Sequence, residues 1–238
     1  FVRSLMALME FDLRVPDHTT LSRRRRMVPI DMNAPRRKAP ADLVLDSTGL
    51  KFYDAGEWDR LKHGEKRRAW RKLHIAVDAG TGEFLAHALT DSGTSEATMA
   101  GPLVEAAGGR IRSVIADGAY DGAPVYDAIR RARLPRSPPK IVVPPSKPSM
   151  PSPGAAHGGT ERERPAVEIA AHGRMAWRRA LEHGKRSHAE TAVYRLKRND
   201  GDRLKARAFG ARQKEIALRI SATNKVIRQA KPVTVRVA

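Results

Sequence analysis

Two aspartates and one distant glutamate are the residues of this chain whose types and placement could do chemistry. Leu43-Val44-Leu45-Asp46 runs into Ser47-Thr48-Gly49, and Ser113-Val114-Ile115-Ala116-Asp117 runs into Gly118-Ala119-Tyr120. Each aspartate closes a short apolar run, so each is expected where a buried strand surfaces. Glu190 lies in the stretch from Arg186 to Lys197, which has no Gly or Pro and reads as helix. Hard carboxylate oxygens suit Mg²⁺, which takes few protein ligands and keeps several waters, so three acids suffice without histidine. Two such ions about 3.5–4 Å apart can clamp the attacking and departing oxygens of a phosphodiester. Asp46 and Asp117 are 71 residues apart and Glu190 lies 73 further on, so only folding could unite them.

On a helix, Arg186, Glu190, Tyr194 and Lys197 follow at steps of four, four and three and share one side. Taken alone, such a stripe is equally an ion-paired solvent face. Read with the two aspartates, Glu190 becomes a metal ligand while Arg186 and Lys197 reach phosphates.

The bulk composition agrees with a polyanionic partner. Of 238 residues, 45 are Lys or Arg and 26 Asp or Glu, for a formal charge of +19 and a pI near 11.0. Phosphate contacts release counterions and steer encounter, so this balance favours nucleic acid. The cations are spread from Arg23 to Lys214, which suits a long groove better than a tail. No cysteine is present, which excludes disulfides, thiolate nucleophiles and Cys-type zinc sites. No run of about 18 apolar residues occurs, and the chain is expected to be soluble and cytoplasmic, associated with the nucleoid.

The elements that must position the three acids follow from pattern. Val2 to Leu13 carries apolar residues at helical spacing, Pro16 to Leu21 reads as a turn, and Ser22 to Met27 as a short basic helix. Val28 to Pro40 is a linker. Strands are expected at Asp42–Asp46, Arg71–Asp78 and Glu83–Leu89, the last two joined through Ala79-Gly80-Thr81-Gly82 as an antiparallel hairpin. A helix at Ser95–Ala107 is stopped by Gly108-Gly109, and is followed by the second Asp strand, a helix at Ala123–Arg133 and a strand at Lys140–Val143. This alternation predicts an α/β mixed sheet flanked by helices. Residues 144–165 form a Pro/Gly-rich insertion, expected to be mobile. Val167 to Lys197 is mainly helical, and Arg212 to Ala230 forms a last helix with Ile216, Ile220, Val226 and Ile227 inward. The expected organisation is an incomplete N-terminal helical part and basic linker over 1–40, a catalytic domain over 41–230 and a tail over 231–238. Phe1 opens inside an amphipathic segment, so upstream sequence is expected to be missing.

Arg186, Glu190 and Lys197 resemble the Arg-Glu-Lys signature of DDE transposases of bacterial insertion sequences, with His183 standing where that family often has a Tyr. Leu45 to Lys51 and Ala116 to Asp121 look like the first and second acidic motifs of the IS5-type group. Trp70 to His74 and Val77 to Glu83 are similar to the strand pair after the first motif. The resemblance covers the chain from about Val15 onward, and the combination is specific although each motif alone is weak. It implies an RNase H-like core and a catalytic, metal-binding set of Asp46, Asp117 and Glu190 using Mg²⁺ or Mn²⁺. It also implies DNA contacts from Arg186, Tyr194, Arg195 and Lys197, double-stranded DNA at terminal inverted repeats and target as the partner, and a homo-oligomer assembled on DNA. The family has further helices upstream, so a shortened, inactive copy is an open alternative.

Other residues compete for these roles. Asp54, Asp78, Asp91 and Asp121 are rival acids, with Asp78 and Asp121 placed to serve turns or caps. Glu168 and Glu182 lack the Arg and Lys offsets of Glu190. The histidines have no metal-ligand spacing, and His74 reads as a core group. Trp58, Trp70 and Trp177 are more readily core than base-stacking platforms. A non-catalytic nucleic-acid-binding protein and a structure-specific nuclease on the same core remain as rival functions.

Overall fold

The computed structural model describes residues 2–27, 30, 39–52, 70–134, 137–146 and 160–229. Asp54 and Trp58, most of the 28–40 linker, residues 147–159 of the insertion and the 231–238 tail lie outside the described residues.

The chain divides into two units, 1–31 and 32–238. In the first, α1 (Val2–Leu8) buries none of its residues, and α2 (His18–Met27) starts four residues earlier than its sequence suggests. The reason is Asp17, whose carboxylate accepts hydrogen bonds from Thr20 N and Thr19 Oγ1, each at 2.7 Å, and so caps the helix. The backbone bond from Thr20, then Thr19, holds this carboxyl down to about 2.

In the second unit the strands are β1 (Ala41–Phe52), β2 (Trp70–Asp78), β3 (Phe84–Asp91), β4 (Ile111–Ile115), β5 (Lys140–Val142) and the short β6 (Arg203–Leu204). The helices are α3 (Glu96–Ala107), α4 (Ala123–Arg131), α5 (Arg164–His172), α6 (Arg174–Ala180), α7 (Ser187–Asp200) and α8 (Phe209–Gln229). The sheet order is β3-β2-β1-β4-β5, with β6 also on β1. The first three strands are antiparallel, while β4 and β5 join parallel. This mixed sheet between helices has the RNase H-like arrangement that the sequence implied.

Alternation assigns the two faces. Leu43 and Leu45 of β1 with Val114 and Ala116 pack beneath α3 and α4 against Leu103, Val104, Val125 and Ile129. Val44 and Leu50 with Leu73, Ile75, Val77 and Ile115 face the other way, against Ala189, Ala192 and Leu196 of α7 and Ile216 and Ile220 of α8. Ser95 Oγ accepts from Ala97 N to cap α3, and Gly108, at φ 55°, ends it. Gly82, at φ 75°, turns β2 into β3.

Three expectations change. The first strand does not end at Asp46: β1 runs on to Phe52 because β2 supplies partners up to Lys51 opposite Trp70. Val226 is exposed, whereas Glu215, Arg219, Thr223 and Asn224 are buried on α8. Glu215 accepts from Lys205 N and Ala206 N and pairs with Arg219 at 2.7 Å, and Asn224 bonds both N and O of Phe84 on β3. Buried polar side chains persist here because each is fully partnered by backbone or by its opposite charge. Of the insertion 144–165, the described flanks meet at one residue: Asp121 accepts from Ser146 N at 2.9 Å and from Arg162 Nε at 2.8 Å.

This polar stripe predicts opposite outcomes at two positions of α8. Glu215→Ala takes the acceptor from the N–H groups of Lys205 and Ala206 and the counter-charge from the buried Arg219, and should cost about 3–5 kcal/mol in urea unfolding. Val226→Ala should stay within about 0.5 kcal/mol.

Candidate active site

The register between β1 and β4 brings the two aspartates together. Leu43 lies opposite Val114 and Val44 opposite Ile115, an offset of 71 residues, and the same offset relates Asp46 to Asp117. Continued by two residues, the register sets both at the same level on strands roughly 4.8 Å apart. They also share a face, since each is two residues past a side chain of the layer under α7. β4 ends at Ile115 while β1 continues, and the next strand on that edge of β1 is β6, opposite Lys51 and Phe52. The sheet is therefore open on this edge beside residues 45–50, and burial along β1 relaxes from Asp46 onward.

The acids are supported differently. Asp46 Oδ1 accepts from Ser47 N at 2.9 Å. Asp117 Oδ1 accepts from Ala119 N at 2.9 Å and caps a single 3-10 turn, Gly118–Tyr120, whose buried tyrosine ring anchors it in the core below. Glu190 sits in the first turn of α7 with its side chain 56% exposed, ion-paired to Arg186 one turn earlier.

Burial pushes the Asp46 carboxyl above the ordinary aspartate range. The Ser47 N–H and the Arg186 guanidinium oppose this, and the negative charges of Asp117 and Glu190 add to it. Asp117 and Glu190 therefore each act on the Asp46 carboxyl. The Tyr120 phenol is pushed up by burial and then by Asp46, Asp117 and Glu96, and its hydroxyl has no hydrogen-bond partner among the described residues. Among the described residues, no three acidic or histidine side chains are drawn together tightly enough to hold a cation as they stand. Glu190 is turned to Arg186. The donor set nonetheless fits a hard divalent ion, since a cation would relieve the mutual repulsion that burdens Asp46.

The helix stripe divides on folding. Lys197 Nζ donates to Thr48 Oγ1 at 2.7 Å, two residues beyond Asp46 on the same face of β1. Tyr194 is exposed. Arg195 extends to the β2–β3 turn, its guanidinium 3.3 Å from where a Cβ would stand on Gly82.

Sequence reasoning passed over several neighbours. Glu96, at the start of α3, accepts from Ser47 Oγ at 3.0 Å and pairs with Lys72 at 2.9 Å, bracing the residue after Asp46. His183 is buried, with Nε2 donating to the carbonyl of Ala116 at 3.2 Å, directly before Asp117. The signal for Tyr120 was its place three residues after Asp117, and that for His183 its place three residues before Arg186, but nothing in the composition marked Glu96. The other rivals take structural roles. Asp78 accepts from Gly80 N and Thr81 Oγ1, His74 Nε2 meets Thr90 Oγ1 at 2.9 Å, Asp91 pairs with Arg71, and Trp177 is buried. Among the described residues no helix is long and apolar enough to cross a membrane.

A solved piggyBac transposase synaptic complex with hairpin DNA aligns at a TM-score of 0.40 and 14% identity, over 90% of this chain and 54% of that one. This chain thus spans about half of that protein's length. Two family models described as the transposase DDE domain match, one over residues 1–55 and the other over residues 37–225. With the larger match covering most of its length, the chain belongs to the DDE transposase domain family.

Proposed function

We propose that this chain is the catalytic part of an IS5-type insertion-sequence transposase, cutting and joining DNA at the element's ends with Asp46, Asp117 and Glu190 as its acidic set. The observation that carries the reading is the shared register and shared face of Asp46 and Asp117, with Glu190 near enough to burden the Asp46 carboxyl. Mg²⁺ or Mn²⁺ bound to these acids would supply charge neutralisation at the attacking and departing oxygens.

The chain's own residues account for the rest. Asp46 and Asp117 are fixed by backbone N–H donors and offer oxygens from a rigid sheet. Glu190 comes from a helix and must leave Arg186 to join them. Arg186, ion-paired to Glu190 and acting on the Asp46 carboxyl, is the group a substrate phosphate competes for. Lys197, held at Thr48, adds a positive charge along β1, and Tyr194 and Arg195 extend the contact surface of α7. Catalysis is then positioning and charge, with no covalent protein intermediate: water cuts first, and the freed 3′-OH is aimed at target DNA. The DNA is duplex, at terminal inverted repeats and target, and the working form is a homo-oligomer on DNA. The net charge of +19 supports duplex binding.

Asp46→Asn, Asp117→Asn or Glu190→Gln should each lower cleavage of a terminal-repeat duplex by at least about a hundredfold while leaving its Kd nearly unchanged. Strand transfer of a pre-cut 3′-OH end at the wild-type rate by any of them removes that residue from the set. Affinity of the wild-type chain should fall with salt, log K dropping by about 0.9 per phosphate contacted for each tenfold rise in salt. Asp46→Asn should also raise Tm by a few degrees, since it removes a desolvated charge repelled by two others while keeping an oxygen for the Ser47 N–H. A lower Tm would show that the carboxylate is stabilising and that the repulsion is absent.

A further inference from the structure

The helix that carries Glu190 begins at a sharp turn, and the side chains fastening that turn lie outside the acidic set. Glu182 is left-handed at φ 51°, residues His183–Arg186 make a 3-10 turn, and α7 follows at Ser187. A left-handed non-glycine residue persists only where its surroundings hold it. Two attachments do so, one to each Asp-bearing strand. His183 Nε2 donates to Ala116 O on the β4 side, its ring centroid 5.5 Å from that of Trp177. Lys185 Nζ donates to Asp42 Oδ2 on β1 at 2.8 Å and to Glu182 Oε2 at 2.5 Å.

Asp42 is a prepared anchor. It lies four residues before Asp46 on β1, its side chain is only 7% exposed, and it also accepts from Arg112 Nε at 2.8 Å and Ser113 Oγ at 2.7 Å. Glu190 lies five residues beyond Lys185, about one and a half helical turns. Moving the start of α7 by one residue would rotate Glu190 about 100° around the helix axis and carry it off the sheet edge.

We propose that Lys185 is a positioning residue for the acidic site: by bridging Glu182 and Asp42 it fixes where α7 begins against β1, and so fixes the reach of Glu190 towards Asp46 and Asp117. This rests on the reading of those three as the catalytic set. Lys185 is a better probe than Asp42, because without Lys185 the buried carboxylate keeps Arg112 and Ser113, so the fold should survive.

Two independent readings test the bridge in the full chain. Because no cysteine is present, nitroxide labels can be placed cleanly at Glu105→Cys on α3 and Thr191→Cys on α7, and the distance between them measured with Lys185 intact, as Lys185→Met and as Lys185→Arg. The expected result is a narrow distribution for Lys and Arg and a broadened or shifted one for Met. In unlabelled protein, Lys185→Met should lower Mn²⁺-dependent cleavage at saturating duplex by about ten- to a hundredfold with little change in Kd for DNA, and Lys185→Arg should recover it. An unchanged distance distribution in Lys185→Met overturns the proposal, and so does a loss confined to DNA affinity, which would make Lys185 a phosphate contact. If the wild-type chain cleaves no DNA although the distance responds to Lys185 as stated, the positioning of α7 stands and the catalytic reading fails.

Discussion

The parallel pairing of β1 with β4 is the constraint on which the site depends. Val44 pairs with Ile115, so Asp46 and Asp117 each follow two residues beyond the last paired position of their strands. Like charges repel, and here one of them is also drawn out of water. The arrangement persists because the strands beneath are buried on both faces, by α3 and α4 on one side and α7 and α8 on the other. A sheet with such cover can hold an unfavourable pair of carboxylates that an isolated hairpin could not.

The early end of β4 matters as much as the register. Had β4 continued beside β1 to Phe52, the edge near Asp46 would be closed by ladder hydrogen bonds and covered by side chains. Instead the polypeptide leaves β4 as a 3-10 turn pinned by Tyr120, and β1 is not met again on that edge until β6 pairs with Lys51 and Phe52. The opening in the sheet has one cause, the unequal lengths of two neighbouring strands.

Much of this was legible in the sequence, and the remainder was hidden for physical reasons. Short apolar runs ending in aspartate marked β1 and β4, the Gly80 to Gly82 turn marked the β2–β3 hairpin, and Ser95 with Gly108 bounded α3, because each signal is local. The extension of β1 through Ser47, Thr48 and Gly49 was not, because those residues favour turns locally and only pairing with β2 overrides them. The inner face of α8 misled for a related reason. Glu215 and Arg219 look like a solvent stripe, yet at four-residue spacing they neutralise one another and cap loose backbone groups near β6, which lets them take the inward positions, whereas Val226 is exposed near the end of the helix. The union of the three acids was an inference from resemblance in the sequence, since the offset of 71 has meaning only once the strands pair in that register.

Glu190 differs from the aspartates in a way that the elements explain. The aspartates are held by backbone donors one or two residues away, Ser47 N on β1 for Asp46 and Ala119 N in the 3-10 turn after β4 for Asp117. The helix packs on the sheet layer through Ala189, Ala192 and Leu196, with Val193 partly buried beside them, and two of these four side chains are single methyl groups. Small residues bring α7 close enough for Lys197 to reach Thr48, yet they interlock weakly, so packing alone specifies the helix's rotation poorly. Specification must come from the ends, where polar contacts are directional. At the far end stands the Lys197–Thr48 bond, and at the near end the turn from Glu182 to Arg186, tied to β4 by His183 and to β1 by Lys185. On the proposed reading Glu190 exchanges Arg186 for a new partner, which needs a side chain free to move on a helix that is not, and directional bonds at both ends of the helix meet both requirements.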